Sequence, residues 1–187
     1  MYRAFVSLFI VFSLASNLMA LDLQVGTKRL KPYIDSQKQE YESKSGTLTY
    51  KPNPTSTIYG TSVYLGAQMD EWAYIYETSE WEYPSELTQT GATTATNITM
   101  TNKETKLGVN YVQERELAGY HLGLGFANYE ESFTLEGVNY KFTTTTPYLR
   151  IGLDLIFGML HVRADQTQMQ AGEHNLKTNA IGIIFSF

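Results

Sequence analysis

Apolar and polar residues alternate with period two, in segments of about ten residues, along most of the chain beyond residue 20. The last segment is the clearest. In Lys177 to Phe187 (KTNAIGIIFSF), Ile181, Ile183, Phe185 and Phe187 share one face, and Thr178, Ala180, Gly182 and Ser186 the other, with Ile184 as the exception. Successive side chains of a β-strand point to opposite sides, so one face is apolar and aromatic and the other small or polar. In Pro147 to Phe157, Leu149, Ile151, Leu153, Leu155 and Phe157 alternate with Tyr148, Arg150, Gly152, Asp154 and Ile156. After Gly158, Leu160, Val162 and Ala164 alternate with His161, Arg163 and Asp165. Charge at every second position excludes an apolar core on both sides and fits a wall with lipid outside and a polar interior.

Further strands fall at Tyr59 to Met69, at Trp72 onward, at Thr105 to Gln113 and at Leu117 to Tyr129, where interior glycines leave room for bulkier residues of facing strands. An even count of eight, the minimum for such a wall, needs a first strand near Leu21, Leu23 and Val25, although Lys28, Arg29 and Lys31 soon follow. Gly46 to Tyr50 has strand character with charged flanks and reads as part of a long outer hairpin. Connections alternate between short (Met69 to Glu71, Gln113 to Glu116, Gly158) and long (Pro32 to Thr57, Tyr83 to Glu104, Glu130 to Thr146, Gln168 to Leu176). The expected fold is all-β: an eight-stranded antiparallel up-and-down transmembrane β-barrel with short periplasmic turns and long polar extracellular loops.

The N-terminus changes the domain picture. Met1 to Arg3 is weakly basic, Ala4 to Ala15 is uncharged and apolar, and Ser16 to Ala20 ends in a small residue. This is the layout of a secretory signal peptide over 1–20, with an uncleaved anchor as the competing reading, and 21–187 is the barrel domain. The chain has no cysteine, so its stability cannot rest on disulfides; barrel closure supplies an alternative by pairing every backbone group within the wall. Without Arg3 the mature chain carries 13 basic against 19 acidic residues, which disfavours nucleic acid as a partner and leaves no polybasic segment.

The leader, the eight-strand pattern and the ending Ile181-Gly182-Ile183-Ile184-Phe185-Ser186-Phe187 together resemble small bacterial outer-membrane barrels of the OmpA/OmpX/OmpW type. The resemblance implies a Gram-negative outer membrane as location, with outer-membrane lipid and lipopolysaccharide as surroundings. It also implies that Ile181, Ile183, Phe185 and Phe187 form the C-terminal signal read by the barrel-assembly machinery. It identifies an assembly route rather than an activity.

Strand parity points Glu77, Lys106, His121, Arg150, Asp154, His161, Arg163 and Asp165 into the barrel. Buried charges must pair or meet water. The set therefore reads either as a plug of ion pairs or as a narrow polar path for small solutes. The small bore of eight strands favours the plug. Tyr59, Trp72, Tyr111, Tyr120, Phe126 and Phe157 near strand ends suit interface girdles. The cluster Trp72, Tyr74, Tyr76, Trp81 and Tyr83 is dense enough for a carbohydrate or lipid contact, though girdle is the simpler reading. Lipid A deacylases of this architecture carry His-x-Ser on a strand. His121, His161 and His174 are followed two residues on by Gly123, Arg163 and Leu176, so no enzyme is expected. Glu173-His174 is a loose pair better read as a solvated loop tip than as a metal site, and no cofactor is expected. What remains is a monomeric structural or surface-interaction barrel, with host, phage or neighbouring cells as possible partners of the loops. Its rivals are a small-solute channel, a lipid A-modifying enzyme and a soluble lipocalin-like barrel with the charges reversed.

Overall fold

The computed structural model describes residues 21–34, 39–43, 46–52, 58–89, 94–172 and 174–187, so the expected signal peptide lies outside the described residues. The strands in chain order are β1 (Leu21–Ile34), β2 (Gln39–Ser43), β3 (Gly46–Pro52), β4 (Gly60–Met69), β5 (Trp72–Gln89), β6 (Thr96–Arg115), β7 (Ala118–Leu135), β8 (Val138–Phe157), β9 (Leu160–Ala171) and β10 (His174–Ser186). β1 pairs with both β4 and β10, and β5 with β6, so eight strands close into an antiparallel ring. The β2–β3 hairpin stands outside the ring, joined through β3 to the far part of β5. The fold is the eight-stranded up-and-down barrel expected from the alternation.

The register fixes its dimensions. Hydrogen-bonded partners lead from Leu21 through Met69, Trp72, Tyr111, Leu122, Ile151, Gln166 and Asn179 back to β1 at Lys31, ten residues from the start. With a rise near 3.3 Å and strands near 4.8 Å apart, this stagger tilts the strands by roughly 40° and advances each residue about 2.5 Å along the axis. The exposed apolar belt runs from Phe157, Phe187 and Met69 at one end to Leu107, Phe126 and Leu149 at the other. That is about 22 Å, close to the lipid-facing band of roughly 25 Å in such barrels.

Tight turns gather at the first end, with Asp70 and Gly158 at positive φ (54° and 63°). At the far end the structure departs from the sequence expectation. The loops expected over 83–104, 130–146 and 168–176 are largely strand: β5 reaches Gln89, β7 and β8 are joined by Glu136 and Gly137 alone, and β9 reaches Ala171. Glu136 and Gly137 both have positive φ (50° and 80°), the requirement of a two-residue type I′ turn. The outward face turns polar here while the inward face stays apolar. Trp81, Tyr83 and Leu87 are buried while Glu80, Glu82 and Glu86 are exposed. Loss of the outer apolar row marks the wall leaving lipid, not the end of the strand.

β1 is a full strand of 14 residues, and its charges separate by parity: Lys28 points inward, Arg29 and Lys31 outward. Ile184, the exception in the last strand, is fully buried where Gly26 leaves its side of the wall open.

Candidate functional site

Three tiers of polar side chains fill the ring. Nearest the tight turns, Asp154 accepts bonds from Arg163 Nε (2.7 Å) and Nη2 (3.2 Å) and lies 3.2 Å from His121 Nδ1. His161 Nδ1 stands 4.0 Å from Glu114 Oε1. Gln24 donates to Gln68 (2.8 Å) and accepts from the Tyr64 hydroxyl (3.1 Å). In the middle tier Lys28 donates to Glu77 and to Asp165 (2.9 Å), and Arg150 to Glu77 (2.9 Å) and to Thr167 (3.3 Å). The Tyr64 ring lies between Lys28 at 5.2 Å and Arg163 at 5.0 Å. In the third tier Lys106 and the Ser79 hydroxyl (3.1 Å) donate to Glu104.

The eight residues singled out by parity (Glu77, Lys106, His121, Arg150, Asp154, His161, Arg163 and Asp165) are all buried in these tiers. Sequence reasoning missed Lys28, Glu104, Tyr64, Gln24 and Gln68. Parity carried to the ends of β1, β4 and β6 would have found them, since Lys28 shares a face with Gln24, and Glu104 with Lys106. With the additions, the cations Lys28, Lys106, Arg150 and Arg163 each touch a carboxylate among Glu77, Glu104, Asp154 and Asp165. Close pairing offsets the desolvation that would otherwise make such burial costly. Glycines make the room. A Cβ at Gly152 would stand 2.3 Å from His121 Cε1, one at Gly182 2.4 Å from Lys28 Cγ, and one at Gly108 2.2 Å from the Tyr148 hydroxyl.

Beyond the apolar belt the strands enclose a second core that the sequence reading did not foresee. Tyr50, Tyr83 and Tyr129 (3.1 Å) direct their hydroxyls at the buried carboxylate of Glu131, and Tyr129 also meets Asn102 Oδ1. Leu48, Trp81, Leu87, Met100 and Phe133 pack in the same crown, and Phe133 stacks on Tyr140 at 5.0 Å. Burial, reinforced by the Glu131 charge, pushes the Tyr129 hydroxyl well above the usual phenol range. The aromatic cluster near residue 76 is thus divided: Trp72, Tyr74 and Tyr76 face outward, Trp81 and Tyr83 inward.

On the outer surface Tyr59, Trp72, Tyr120, Phe126 and Phe157 are exposed, and Tyr111 is half-buried against Trp72, with ring centroids 5.5 Å apart. By the register, Trp72, Tyr111, Tyr120 and Phe157 lie toward the tight-turn end, and Tyr59 and Phe126 toward the crown. Trp72 opens β5, Phe157 ends β8 and Tyr59 immediately precedes β4, whereas Phe126 lies inside β7, which runs on past the belt. Ile181, Ile183, Phe185 and Phe187 are exposed in one outward row. Phe187 exchanges both backbone bonds with Leu23 (2.9 and 3.1 Å), closing the seam between the first and last strands. Glu173 lies outside the described residues, and no group of three metal-binding side chains occurs among those described.

No protein-family model matches the sequence, and no curated protein does. Solved structures do match the fold. The attachment invasion locus protein Ail of Yersinia pestis, solved with the heparin analogue sucrose octasulfate, is 12% identical, with a TM-score of 0.59 over 89% of this chain and 99% of that one. Neisserial surface protein A is 10% identical, with a TM-score of 0.60 over 89% and 97%. The N-terminal β-barrel domain of Pseudomonas aeruginosa OprF is 14% identical, with a TM-score of 0.54 over 89% and 97%. At these identities the likeness establishes architecture: the chain has the fold of the small eight-stranded transmembrane barrels.

Proposed function

We propose that this chain is an integral barrel of a Gram-negative outer membrane, inserted by the barrel-assembly machinery through its Ile181–Phe187 row, with a plugged lumen and a surface-interaction role for its crown. One observation carries the reading. β5 to β8 continue past the apolar belt as paired hairpins with a core of their own around Glu131, so the outer end is a prefolded platform rather than slack loops. A rigid surface loses little entropy when it binds. The charge-balanced tiers supply no such argument for transport, and the crown, not the lumen, is the interacting part.

The exposed charges of the crown suggest what it would engage. On the β5–β8 hairpins, among the described residues, exposed Glu80, Glu82, Glu86 and Glu136 outnumber Lys103 and Lys141. An acidic platform disfavours a polysulfated sugar such as the one held by Ail and favours a neutral or basic partner. The test is adhesion of cells displaying the barrel to epithelial monolayers and to immobilised heparin. A variant with 133–140 replaced by a short turn, still showing heat-modifiable migration, should lose monolayer adhesion, and heparin should retain neither form. Unchanged adhesion after that replacement would remove the reading.

A further inference from the structure

Among the described residues, most charged groups above the apolar belt have a counter-ion or are acidic. Lys103 stands 3.8 Å from Glu80, and Lys141 2.6 Å from Glu130. The face formed by β1 and β10 differs. Arg29, Lys31 and Lys177 are all exposed and outward, and none has an ion pair among the described residues. The register makes them one group: Arg29 and Lys31 are successive outward residues of β1, and Lys177 lies opposite Tyr33, diagonal to Lys31. Diagonal cross-strand neighbours are about 7–8 Å apart, close enough for like charges to repel.

Three further features turn this cluster toward a ligand. Its height is one: from the stagger, Arg29, Lys31 and Lys177 stand about 20–27 Å above Leu21, at the outer edge of the apolar belt. Directly below, Val25, Val63, Leu65, Ile181 and Ile183 surround Thr27 in a largely apolar strip, with Arg29 opposite Ile181. The side chains are also braced along the wall, the Arg29 guanidinium over the Tyr59 ring at 4.5 Å and Lys31 over Tyr33 at 5.4 Å. Cations above an apolar strip match the two ends of a phosphorylated lipid: anionic headgroup at the rim, acyl chains along the strands. Charge-assisted bonds to phosphate are the natural counter-charge for cations here.

We propose that Arg29, Lys31 and Lys177 form a binding site on the outside of the wall for the phosphate groups of an anionic outer-leaflet lipid. The site rests on the membrane reading above and deepens it. The full chain in detergent micelles would be titrated with bisphosphorylated lipid A and followed by native mass spectrometry. Fully dephosphorylated lipid A and inorganic pyrophosphate serve as separate arms. The expected result is retention of the bisphosphorylated lipid, weakened about tenfold or more in the R29Q/K31Q/K177Q variant and unchanged in the K103Q/K141Q control. Pyrophosphate alone should compete poorly, because it lacks the acyl chains. Equal retention by the triple variant, equal retention of the dephosphorylated lipid, or full competition by pyrophosphate would each overturn the site. A wild-type chain that fails to enter lipid vesicles would overturn the membrane reading and the site together. Loss of the site alone leaves vesicle insertion and heat-modifiable migration intact.

Discussion

Arg163 and Asp154 are direct partners across the β8–β9 ladder, and the guanidinium closes onto the carboxylate with two bonds, Nε to Oδ1 at 2.7 Å and Nη2 to Oδ2 at 3.2 Å. Both side chains are fully enclosed. Removing one partner strands the other charge, so Asp154→Ala is expected to destabilise the barrel by about 3–5 kcal/mol, whereas replacing both residues by apolar side chains of similar volume should cost much less. Urea equilibrium unfolding in lipid vesicles, run as a double-mutant cycle, checks this. Single and double replacements of equal cost would show that the pair is not coupled.

Glu77 receives both Lys28 and Arg150 in the middle charged tier. If these bonds plug the lumen, the wild-type protein should show no steady channels in planar bilayers. K28A/R150A removes two long side chains and leaves Glu77 and Asp165 facing the gap. The variant should conduct and prefer cations, because the remaining fixed charge is negative. Steady, large wild-type channels would mean that the lumen is a path rather than a plug.

The crown core gives a pH prediction of definite sign. Tyr129, above the lipid belt, has its hydroxyl pKa raised by burial and by Glu131. The folded crown therefore holds the Tyr129 proton more tightly than the unfolded chain does. Its contribution to stability is fully present below the ordinary phenol pKa of about 10 and is lost as pH rises from there through the folded value. Proteolysis of the crown should accelerate above about pH 10 while the lipid-embedded strands stay protected, and Tyr129→Phe should weaken that dependence. Indifference of crown proteolysis to pH between 9 and 11 would count against it.

The barrel was legible because its lipid face is written at every second residue. The same parity placed Arg150, Asp154, His161 and Arg163 inside. What escaped was of two kinds. Lys28 and Glu104 lie where the outward row is no longer purely apolar, with Thr27 and Arg29 flanking one and Lys103 and Thr105 the other, so the alternation that defines a face had faded. The crown was read as loop because Thr, Glu and Ser dominate its outer face. Its inner face, with Trp81, Tyr83 and Leu87 in one row, kept the period. Contacts such as Tyr50 and Tyr83 with Glu131 join β3, β5 and β7, and no local pattern announces which distant residues a carboxylate will meet.

Gly152 tests how tightly the lower tier is packed. A Cβ there would stand 2.3 Å from His121 Cε1 and 2.8 Å from the Ala164 carbonyl oxygen. Overpacking of this kind typically costs about 1–3 kcal/mol. Gly152→Ala should fall in that range, and His121→Ala in the same chain should recover part of the loss by removing the ring. Vesicle unfolding of the two single variants and the double variant measures the recovery. Strict additivity would show that the ring is not what the methyl group meets.

Phe187 combines two roles that substitution can separate. Its backbone exchanges both bonds with Leu23 and so closes the seam of the ring, while its side chain ends the outward row of Ile181, Ile183 and Phe185. Phe187→Ala keeps the backbone pair and removes the aromatic ring; deletion of the residue removes both. If the ring is the element read during assembly, both variants should reach the folded, heat-modifiable form more slowly in cells. Only the deletion should also lower unfolding stability in vesicles, by about 1 kcal/mol or more for the lost pair of backbone bonds. Pulse-chase folding in cells alongside vesicle unfolding in vitro resolves the two effects. Wild-type assembly kinetics in Phe187→Ala would remove the C-terminal ring from the assembly signal and leave Phe187 as a seam residue alone.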